Sequence, residues 1–376
     1  MRRATDIAWP HSPMAELAGS INAYYSFDVA ETTRLDALHR HLGGDATLAT
    51  IYDKAPGAPR VRYIQPPVIV DGSVLGEAEL DGFRVRIKFY DYGVISLLLE
   101  RPFSGSWQDL LALGQHLIEN EPLQQHAELV CRRVVSRVAA YLDAPRSSFL
   151  DEDYLVFVLS TSVPALSAEQ LVQAHGSDIA QLLRGERQRL SAQERDETLR
   201  HRISYLADDL VVAAWNAAFV YDTAAAAVAT MEILEYANSQ LLEFRYHDDR
   251  LEGALNRIYA DLQHPRRTDR LFGRRYLRAT RELHALLIDV NELTDRAENA
   301  LKLVGDLYAA RLFNLVATRL GLDQWKRNVQ DKLKTLDDIY RFAVEQTRVS
   351  QGNFLELVIV AILVLELGLS LRGLLP

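Results

Sequence analysis

A row of arginines is the densest concentration of charge in the 376-residue sequence. Seven of the sixteen residues from 266 to 281 are arginine, against a single acid, Asp269. Guanidinium groups bind phosphates, so this row predicts a patch that binds anionic lipid headgroups or, less favoured, RNA. The structural alternative is a solvated helix face in an arginine-rich protein. Five arginines step by threes and fours and would share one helix face: Arg267, Arg270, Arg274, Arg278 and Arg281.

Two acids in an apolar segment give a second signal. Residues Phe354–Leu371 are the most apolar run of the chain, and eighteen helical residues would span about 27 Å, close to a bilayer core of roughly 30 Å. An acid near mid-bilayer costs roughly 2.5–3.5 kcal/mol on insertion scales. We therefore expect Glu356 and Glu366 to face a helix–helix contact, whether the segment inserts in a membrane or packs in an oligomer. The residues assigned to this helix surface are Glu356, Leu357, Ala361, Val364 and Glu366.

Signals for catalysis or metal binding are weak. Glu243 and His247 are four residues apart on a predicted helix and could supply two metal ligands, but a surface cluster of ion pairs is favoured because further ligands are not identifiable. The sequence contains no Gly-rich loop ending in Gly-Lys-Ser/Thr, no His-Glu-x-x-His and no Gly-x-Ser-x-Gly. We therefore expect no catalytic residues, no bound metal and no cofactor.

Composition narrows the class of protein. With 48% hydrophobic and 25% charged residues, the chain is expected to form a sizeable soluble core. The net charge of -9 argues against a protein that coats nucleic acid over its whole surface, and DNA binding is not expected. Cys131 is the single cysteine, which excludes an intrachain disulfide and a cysteine metal cluster.

The elements that position these residues fall into four predicted segments. A leader at 1–20 precedes an α+β head at 21–265, in which the order strand, helix, hairpin, helix occurs in 21–142 and again in 154–262. This order predicts a duplicated ferredoxin-like mixed sheet with helices, and chance repetition of a common order is the alternative. Residues 266–353 show heptad spacing and predict a long antiparallel helical hairpin, a coiled-coil stalk that turns near Gly321. Residues 354–376 are the fourth segment, an apolar C-terminal helix.

Several local patterns in the head carry their own predictions. Residues 83–90 alternate apolar and basic side chains, which predicts a strand with one solvated face. Ser167 and Gln170 form a capping box at the start of a helix. A later hairpin is predicted to turn at Asp208-Asp209, before a long helix from Thr223 to Leu262. Within that helix, the polar triplet 238–240 is assigned to the solvated face, although burial of these amides would require partners.

Two motifs resemble a known family. Leu355-Glu356 is followed by an apolar run and by Glu366, and the hairpin KFYDYGVISLL contains a Tyr-Gly-Val turn. Both are similar to the required-for-meiotic-nuclear-division family, a YagE-like group, although a Ser-rich segment with lysine is not found around 121–138. The resemblance implies attachment to a membrane by the C-terminal segment and no established enzyme activity. For the mitochondrial members it implies support of organellar translation by tethering ribosomes.

These observations together predict a non-enzymatic, membrane-attached scaffold or tethering protein. Its head is expected on the cytoplasmic side of a membrane, such as the bacterial inner membrane, and its stalk and C-terminal helix are expected to drive homo-oligomerisation. Anionic lipid headgroups and a second copy of the chain are the expected partners. The alternative is a factor that binds RNA or the ribosome through Arg266–Arg281. A further alternative is an enzyme with its site in the α+β head.

Overall fold

The computed structural model describes residues 17–48, 65–118, 121–162, 165–263, 288, 307–339 and 341. The chain divides into two compact units. The first comprises Met1–Tyr246 and Arg296–Asp323, and the second comprises His247–Asp295 and Gln324–Pro376. All of the strands in the described ranges belong to the first unit.

A mixed β-sheet forms the centre of the first unit. Its strand order is β10-β11-β12-β9-β1-β7-β6-β4-β3, with β5 beside β6, while β2 and β8 pair separately. Strands β9 and β12 run parallel, and the other neighbours are antiparallel. The strands are β1 (Leu17–Asp28), β2 (Thr32–Thr33), β3 (Ala46–Leu48), β4 (Val68–Asp71), β5 (Glu79–Leu80), β6 (Phe83–Phe89), β7 (Val94–Gly105), β8 (Leu142–Asp143), β9 (Leu150–Ser162), β10 (Arg202–Ile203), β11 (Leu210–Ala213) and β12 (Ala217–Tyr221).

Helices connect these strands and follow them. Short 3-10 turns lie at Gly43–Asp45, Gly72–Leu75 and Ala139–Tyr141. The α-helices in the described ranges are α1 (Leu35–Leu42), α2 (Trp107–Ile118), α3 (Glu121–Val138), α4 (Ala168–Arg184), α5 (Ala192–Arg200), α6 (Ala224–Gln263), α7 (Leu307–Leu320) and α8 (322–339). The first part of α6 belongs to the first unit, and the part from His247 belongs to the second.

One face of the sheet carries the main hydrophobic core. Successive side chains of a strand point to opposite faces, so Ile21, Ala23, Tyr25 and Phe27 of β1 share one face. They pack with apolar residues of α1 to α5 in a single cluster. Full burial of one such large side chain contributes roughly 1.5–3 kcal/mol, which makes this face the main source of folding energy.

Several local predictions are confirmed. The capping box is present, because Ser167 accepts from the N–H of Gln170 while the Gln170 side chain accepts from the N–H of Ser167. The predicted strand at 83–90 is β6, which forms a hairpin with β7, and the long predicted helix is α6. At the class level, the α+β prediction with a mixed sheet is confirmed.

The predicted hairpin turn at Asp208-Asp209 lies in the loop between β10 and β11, which pair antiparallel. A second turn, which was not predicted, joins β11 and β12 through residues 214–216. The Asp209 carboxylate accepts hydrogen bonds from the backbone N–H groups of Tyr205, at 2.7 Å, and Leu206, at 2.5 Å. Aspartate stabilises many kinds of turn in this way, and here it stabilises the loop that joins β10 to β11.

The predictions of a transmembrane helix and of a membrane-attached location are also wrong. Within the ranges given above, no helix is both long enough and apolar enough to cross a bilayer. Helix α6 has the length, but Glu232, Glu235 and Glu243 interrupt its apolar residues, and charges in a bilayer core are costly. The predicted C-terminal helix at 354–376 and the arginine row at 266–281 lie outside the described residues.

Candidate functional site

The face of the sheet opposite the hydrophobic core is also buried, and it carries a group of polar side chains beside apolar ones such as Val156 and Val158. On β1, Asn22, Tyr24, Ser26 and Asp28 alternate with the core residues, and all four are at most 1% exposed. Unlike a solvated polar face, this one must satisfy its hydrogen-bonding groups inside the protein. This buried face with its polar side chains is therefore the candidate functional site of the head.

Strand register places a row of polar residues across four strands of this face. Lys88 of β6 pairs with Ser96 of β7, Ser96 pairs with Ser26 of β1, and Ser26 pairs with Glu152 of β9. These residues come from distant parts of the sequence, and the sheet order brings them side by side. Because Lys88 and Glu152 are charged, an element that covers this row must supply charges of opposite sign.

Helix α6 supplies those charges. Its residues Glu235, Asn238, Ser239, Gln240 and Glu243 are each at most 5% exposed. We call the combined surface the polar layer. It consists of Asn22, Tyr24, Ser26, Asp28, Lys88, Ser96 and Glu152 from the sheet, and Glu232, Glu235, Ser239 and Glu243 from α6.

Lys88 is the centre of the polar layer. Its Nζ donates to Glu232 Oε2 at 2.9 Å and also to Glu235 Oε2. The Lys88 and Glu235 side chains are 7% and 4% exposed, whereas Glu232 is 25% exposed and reaches solvent. The Lys88 Nζ also lies 5.8 Å from the centroid of the Tyr90 ring. Two carboxylates of α6 thus share one buried ammonium group of the sheet.

The environment keeps Lys88 protonated. Desolvation is the largest single influence and lowers the pKa of Lys88, but attraction to Glu232 and Glu235 and their hydrogen bonds together outweigh it, so the pKa is raised. Desolvation also raises the pKa of Glu235, against the attraction of Lys88, and repulsion from Glu232 adds to the rise. A lysine that remains charged cannot act as a nucleophile, so this geometry is suited to ion pairing rather than covalent catalysis.

A second contact fixes α6 one turn further along. The Tyr92 hydroxyl, at the β6–β7 turn, lies 2.8 Å from Ser239 Oγ, which in turn donates to the Tyr236 carbonyl at 2.8 Å. Burial raises the pKa of Tyr92 well above its ordinary value, so the phenol stays neutral. This neutral hydrogen bond complements the charged contact of Lys88.

Charged contacts also hold the part of α6 that ends at Tyr246. Asp28 is fully buried and lies 2.6 Å from Nε of Arg146. The Arg146 guanidinium donates to the Tyr246 hydroxyl at 2.5 Å and lies 3.7 Å from the centroid of the same ring. Arg245 pairs with Glu152 at the end of the polar row. Contacts with the sheet side of the first unit therefore bind α6 at successive points between Glu232 and Tyr246.

The prediction that residues 238–240 form a solvated face is wrong. Asn238, Ser239 and Gln240 are at most 1% exposed. The amide groups of Asn238 and Gln240 have no hydrogen-bond partner among the residues that the structure describes. A buried polar group without a partner costs about 1–3 kcal/mol, so these two amides oppose folding unless water satisfies them.

The polar layer leaves little empty space. A cavity of about 50 Å³ lies beside Tyr24, Arg86, Lys88 and Glu235. Ligand sites for small molecules usually measure about 300–1,000 Å³. The cavity can hold water near the Lys88 cluster, which consists of Lys88, Glu232 and Glu235, but cannot hold an organic substrate.

The residues predicted to form sites lie mostly elsewhere in the chain. Outside the described residues are Glu356, Leu357, Ala361, Val364, Glu366, Arg267, Arg270, Arg274, Arg278 and Arg281. Glu243 belongs to the polar layer, and His247 is also buried. Across the described ranges, no group of three or more His, Cys, Asp or Glu side chains is arranged to hold a metal ion.

Lys88, Glu232 and Glu235 were not among the residues predicted to form a site. The alternation in β6 predicts that its basic residues face solvent, but Lys88 is buried. One signal was available in β1, where Asn22, Ser26 and Asp28 occupy alternate positions of an otherwise apolar strand. Polar residues at every second position identify a polar face, although they do not show whether it is covered.

Comparison with known proteins identifies the family of this chain. A family model described as "Uncharacterized protein MJ0711, N-terminal domain" matches residues 18–227, a range that includes almost the whole sheet and helices α1 to α5. The "Uncharacterized protein MJ0711" of Methanocaldococcus jannaschii is 25% identical over 203 residues, which are 54% of this chain and 62% of the relative. The match thus spans less than two thirds of the relative's length.

No solved structure matches the chain. The likeness to the required-for-meiotic-nuclear-division family stays a prediction. More than half of the chain matches one family model, and the matched part contains the sheet side of the polar layer. The chain therefore belongs to the MJ0711 family, through the N-terminal domain of that family.

Proposed function

We propose that the protein is a non-enzymatic scaffold whose α+β head holds helix α6 in one fixed register. One observation carries the proposal: the most elaborate polar surface of the head is occupied by the protein's own helix. Lys88 binds Glu232 and Glu235, and Tyr92 binds Ser239. A surface built in this way positions a structural element rather than a substrate.

The buried charges of the polar layer specify the position of α6 on the sheet more than they stabilise the folded protein. A buried ion pair often contributes no more stability than apolar residues of similar volume, because desolvation offsets the attraction between the charges. Misplacing one partner is costly, however, because it leaves a buried charge unpaired. A shift of α6 by one residue would rotate Glu235 by about 100° away from Lys88. The register of α6 on the sheet is therefore strongly specified.

Contacts within the second unit support a role of α6 in binding another helix. There, Lys332 of α8 lies 2.9 Å from Asp248 and 2.8 Å from Glu252, both on α6. The heptad residues Val329 and Leu333 of α8 are 0% and 7% exposed. These contacts support the pairing of α8 with the later part of α6.

The proposal includes two finer predictions about the fold, the ferredoxin-like duplication and the antiparallel helical stalk. A ferredoxin-like duplication would explain why a hairpin flanks each side of the central β1–β9 pair. The two sides differ, because β7 joins β1 antiparallel whereas β12 joins β9 in parallel. The antiparallel stalk at 266–353 and its role in self-association rest on the heptad spacing.

Self-association is the property that tests the scaffold proposal. We expect the full chain to form a defined oligomer in light scattering coupled to size-exclusion chromatography, with a mass that changes on dilution as a reversible equilibrium requires. Chemical crosslinking should give the same stoichiometry. A monomeric mass at every concentration, with no crosslinked species, would contradict the proposal.

The other functions derived from the sequence remain predictions. Binding of RNA or the ribosome through Arg266–Arg281 depends on residues outside the described ranges. An enzyme site in the head would need a cavity larger than the one beside Lys88. Attachment to a membrane is not part of the proposal.

A further inference from the structure

A groove between α4 and α5 is chemically distinct from the polar layer. Its volume is about 560 Å³, and it is lined by both helices, by the loop between them and by the start of β10. Polar and charged side chains dominate its walls. Those used below are Gln173, Ser177, Asp178, Arg189, Arg195 and Arg202.

The groove carries an excess of positive charge. Arg189, Arg195 and Arg202 come from three separate segments, and the two carboxylates of the lining, Asp178 and Asp196, already have cationic or imidazole partners. Asp178 Oδ2 lies 3.0 Å from Nδ1 of His175, and Asp196 lies 2.7 Å from Arg195. No carboxylate within the described ranges pairs with Arg189 or Arg202. Such a cationic groove is notable in a chain whose net charge is -9.

One of these guanidinium groups is held in position before any ligand binds. Arg202 Nη1 donates to the carbonyl of Leu199 at 2.8 Å, near the end of α5. An arginine has five N–H donors, so the Arg202 side chain keeps donors for a ligand while its orientation is restrained. Restraint of this kind lowers the entropy cost of binding.

The walls of the groove are also held together. Arg184 of α4 pairs with Glu194 of α5, and its Nε donates to Thr198 Oγ1 at 3.2 Å. A side chain at Gly176 would place its Cβ 2.9 Å from Leu199 Cδ1, so glycine allows the two helices to pack closely. The groove is therefore a feature of a well-packed helix pair.

We propose that the α4–α5 groove binds the phosphate group of a small organic phosphate. Guanidinium groups match phosphate oxygens with paired hydrogen bonds, and the Ser177 hydroxyl and Gln173 amide supply further donors. The volume lies within the range of about 300–1,000 Å³ that is usual for small-ligand sites. This proposal does not depend on the scaffold function, because the groove and the polar layer share no residues.

Calorimetric titration of the full chain tests the proposal. The probes are adenosine monophosphate, ribose 5-phosphate and pyrophosphate. The variant Arg189→Gln/Arg202→Gln should weaken binding at least about tenfold, because each arginine forms charge-assisted hydrogen bonds. The matched control is Arg187→Gln/Arg200→Gln, which removes the same charge from the same loop and from the end of α5, two residues before Arg202, but from residues outside the lining. The control should bind as the wild type does.

The probes separate the sources of the phosphate. Equal affinity for pyrophosphate and the organic phosphates would support recognition of phosphate alone, and tighter binding of one organic phosphate would support recognition of its organic part as well. Absence of binding by all three probes would overturn the proposal. An equal loss of affinity in both double variants would also overturn it, because diffuse electrostatic attraction would then explain binding. Circular dichroism establishes that each variant is folded.

Discussion

The face of the sheet under α1 to α5 and the face under α6 are both buried, but different side chains fill them. The first face presents Ile21, Tyr25 and Phe27 of β1 to a continuous apolar cluster. The second presents Asn22, Ser26 and Asp28 of the same strand to the polar layer. Burial on the first face follows from apolar area, whereas burial on the second requires matched charges and hydrogen bonds.

This difference implies separate roles for the two faces: one mainly stabilises the fold, and the other mainly determines the register of α6 on the sheet. Apolar contacts are non-directional, so the first face can tolerate a small adjustment of a helix at modest cost. The Lys88 cluster is directional, because Glu235 must lie within hydrogen-bond distance of the ammonium group. We infer that α1 to α5 supply most of the folding energy and that the polar layer determines where α6 lies.

The largest expected effect is from breaking the charge match. Lys88→Met should lower the free energy of unfolding by about 3–5 kcal/mol, because it leaves the Glu235 carboxylate buried without its cation. Chemical denaturation measures this loss. Hydrogen exchange should also show faster exchange along the first part of α6 than in α4.

Two further variants sharpen that result. Adding Glu235→Met to Lys88→Met should restore most of the lost stability, because the buried charge is removed. Arg84→Met on the same strand breaks the exposed contact with Asp71 and should change the free energy of unfolding much less than Lys88→Met, because solvent screens an exposed ion pair. If the double variant were as unstable as Lys88→Met alone, the loss would come from packing rather than from the unpaired charge.

A change on the apolar face should act differently. Leu183→Ala in α4 removes a fully buried side chain from the core cluster and should cost about 2–5 kcal/mol. Because no charge becomes unpaired, we expect exchange to increase throughout the first unit rather than mainly in α6. Selective loss of protection in α6 would contradict the division of roles between the two faces.

The smallest expected effect is a pH dependence confined to the polar layer. The raised pKa of Glu235 means that the folded protein binds this proton more tightly than the unfolded chain does, and the resulting stabilisation is fully present below the ordinary glutamate pKa of about 4.3. That contribution is lost as the pH rises through the raised value in the folded protein. Glu235→Gln abolishes this titration, so its stability relative to the wild type should improve as the pH rises. Denaturation at a series of pH values measures the trend.

The variant Asp71→Asn provides a control, because its stability relative to the wild type should change with pH in the opposite direction. Hydrogen bonds from the Ser73 hydroxyl, from Arg84 and from the Ser73 N–H lower the pKa of Asp71 to about 2. Its stabilising contribution is therefore present above its ordinary pKa and is lost as the pH falls toward 2. Asp71→Asn should lose stability relative to the wild type as the pH rises. The same slope for both variants would contradict the assignment of Glu235.

Much of the secondary structure could be predicted from the sequence because it depends on nearby residues. The capping box of Ser167 and Gln170 spans one helical turn, and the alternation in β1 is visible within twelve residues. The extent of α6 follows from helix-favouring residues between Thr223 and Gln263. The same local reasoning found the loop between β10 and β11 at Asp208-Asp209 but missed the shorter turn between β11 and β12 at residues 214–216.

The candidate site depended on tertiary structure. Lys88 and Glu235 are 147 residues apart, and only the strand order and the path of α6 bring them into contact. Alternation in the sequence shows that a strand has a polar face, but water and a polar helix satisfy that face equally well. The sequence by itself determined the two-sided character of the strands, because side-chain direction has a period of two. Only the tertiary structure decided that the polar side is buried, because burial depends on which element covers it.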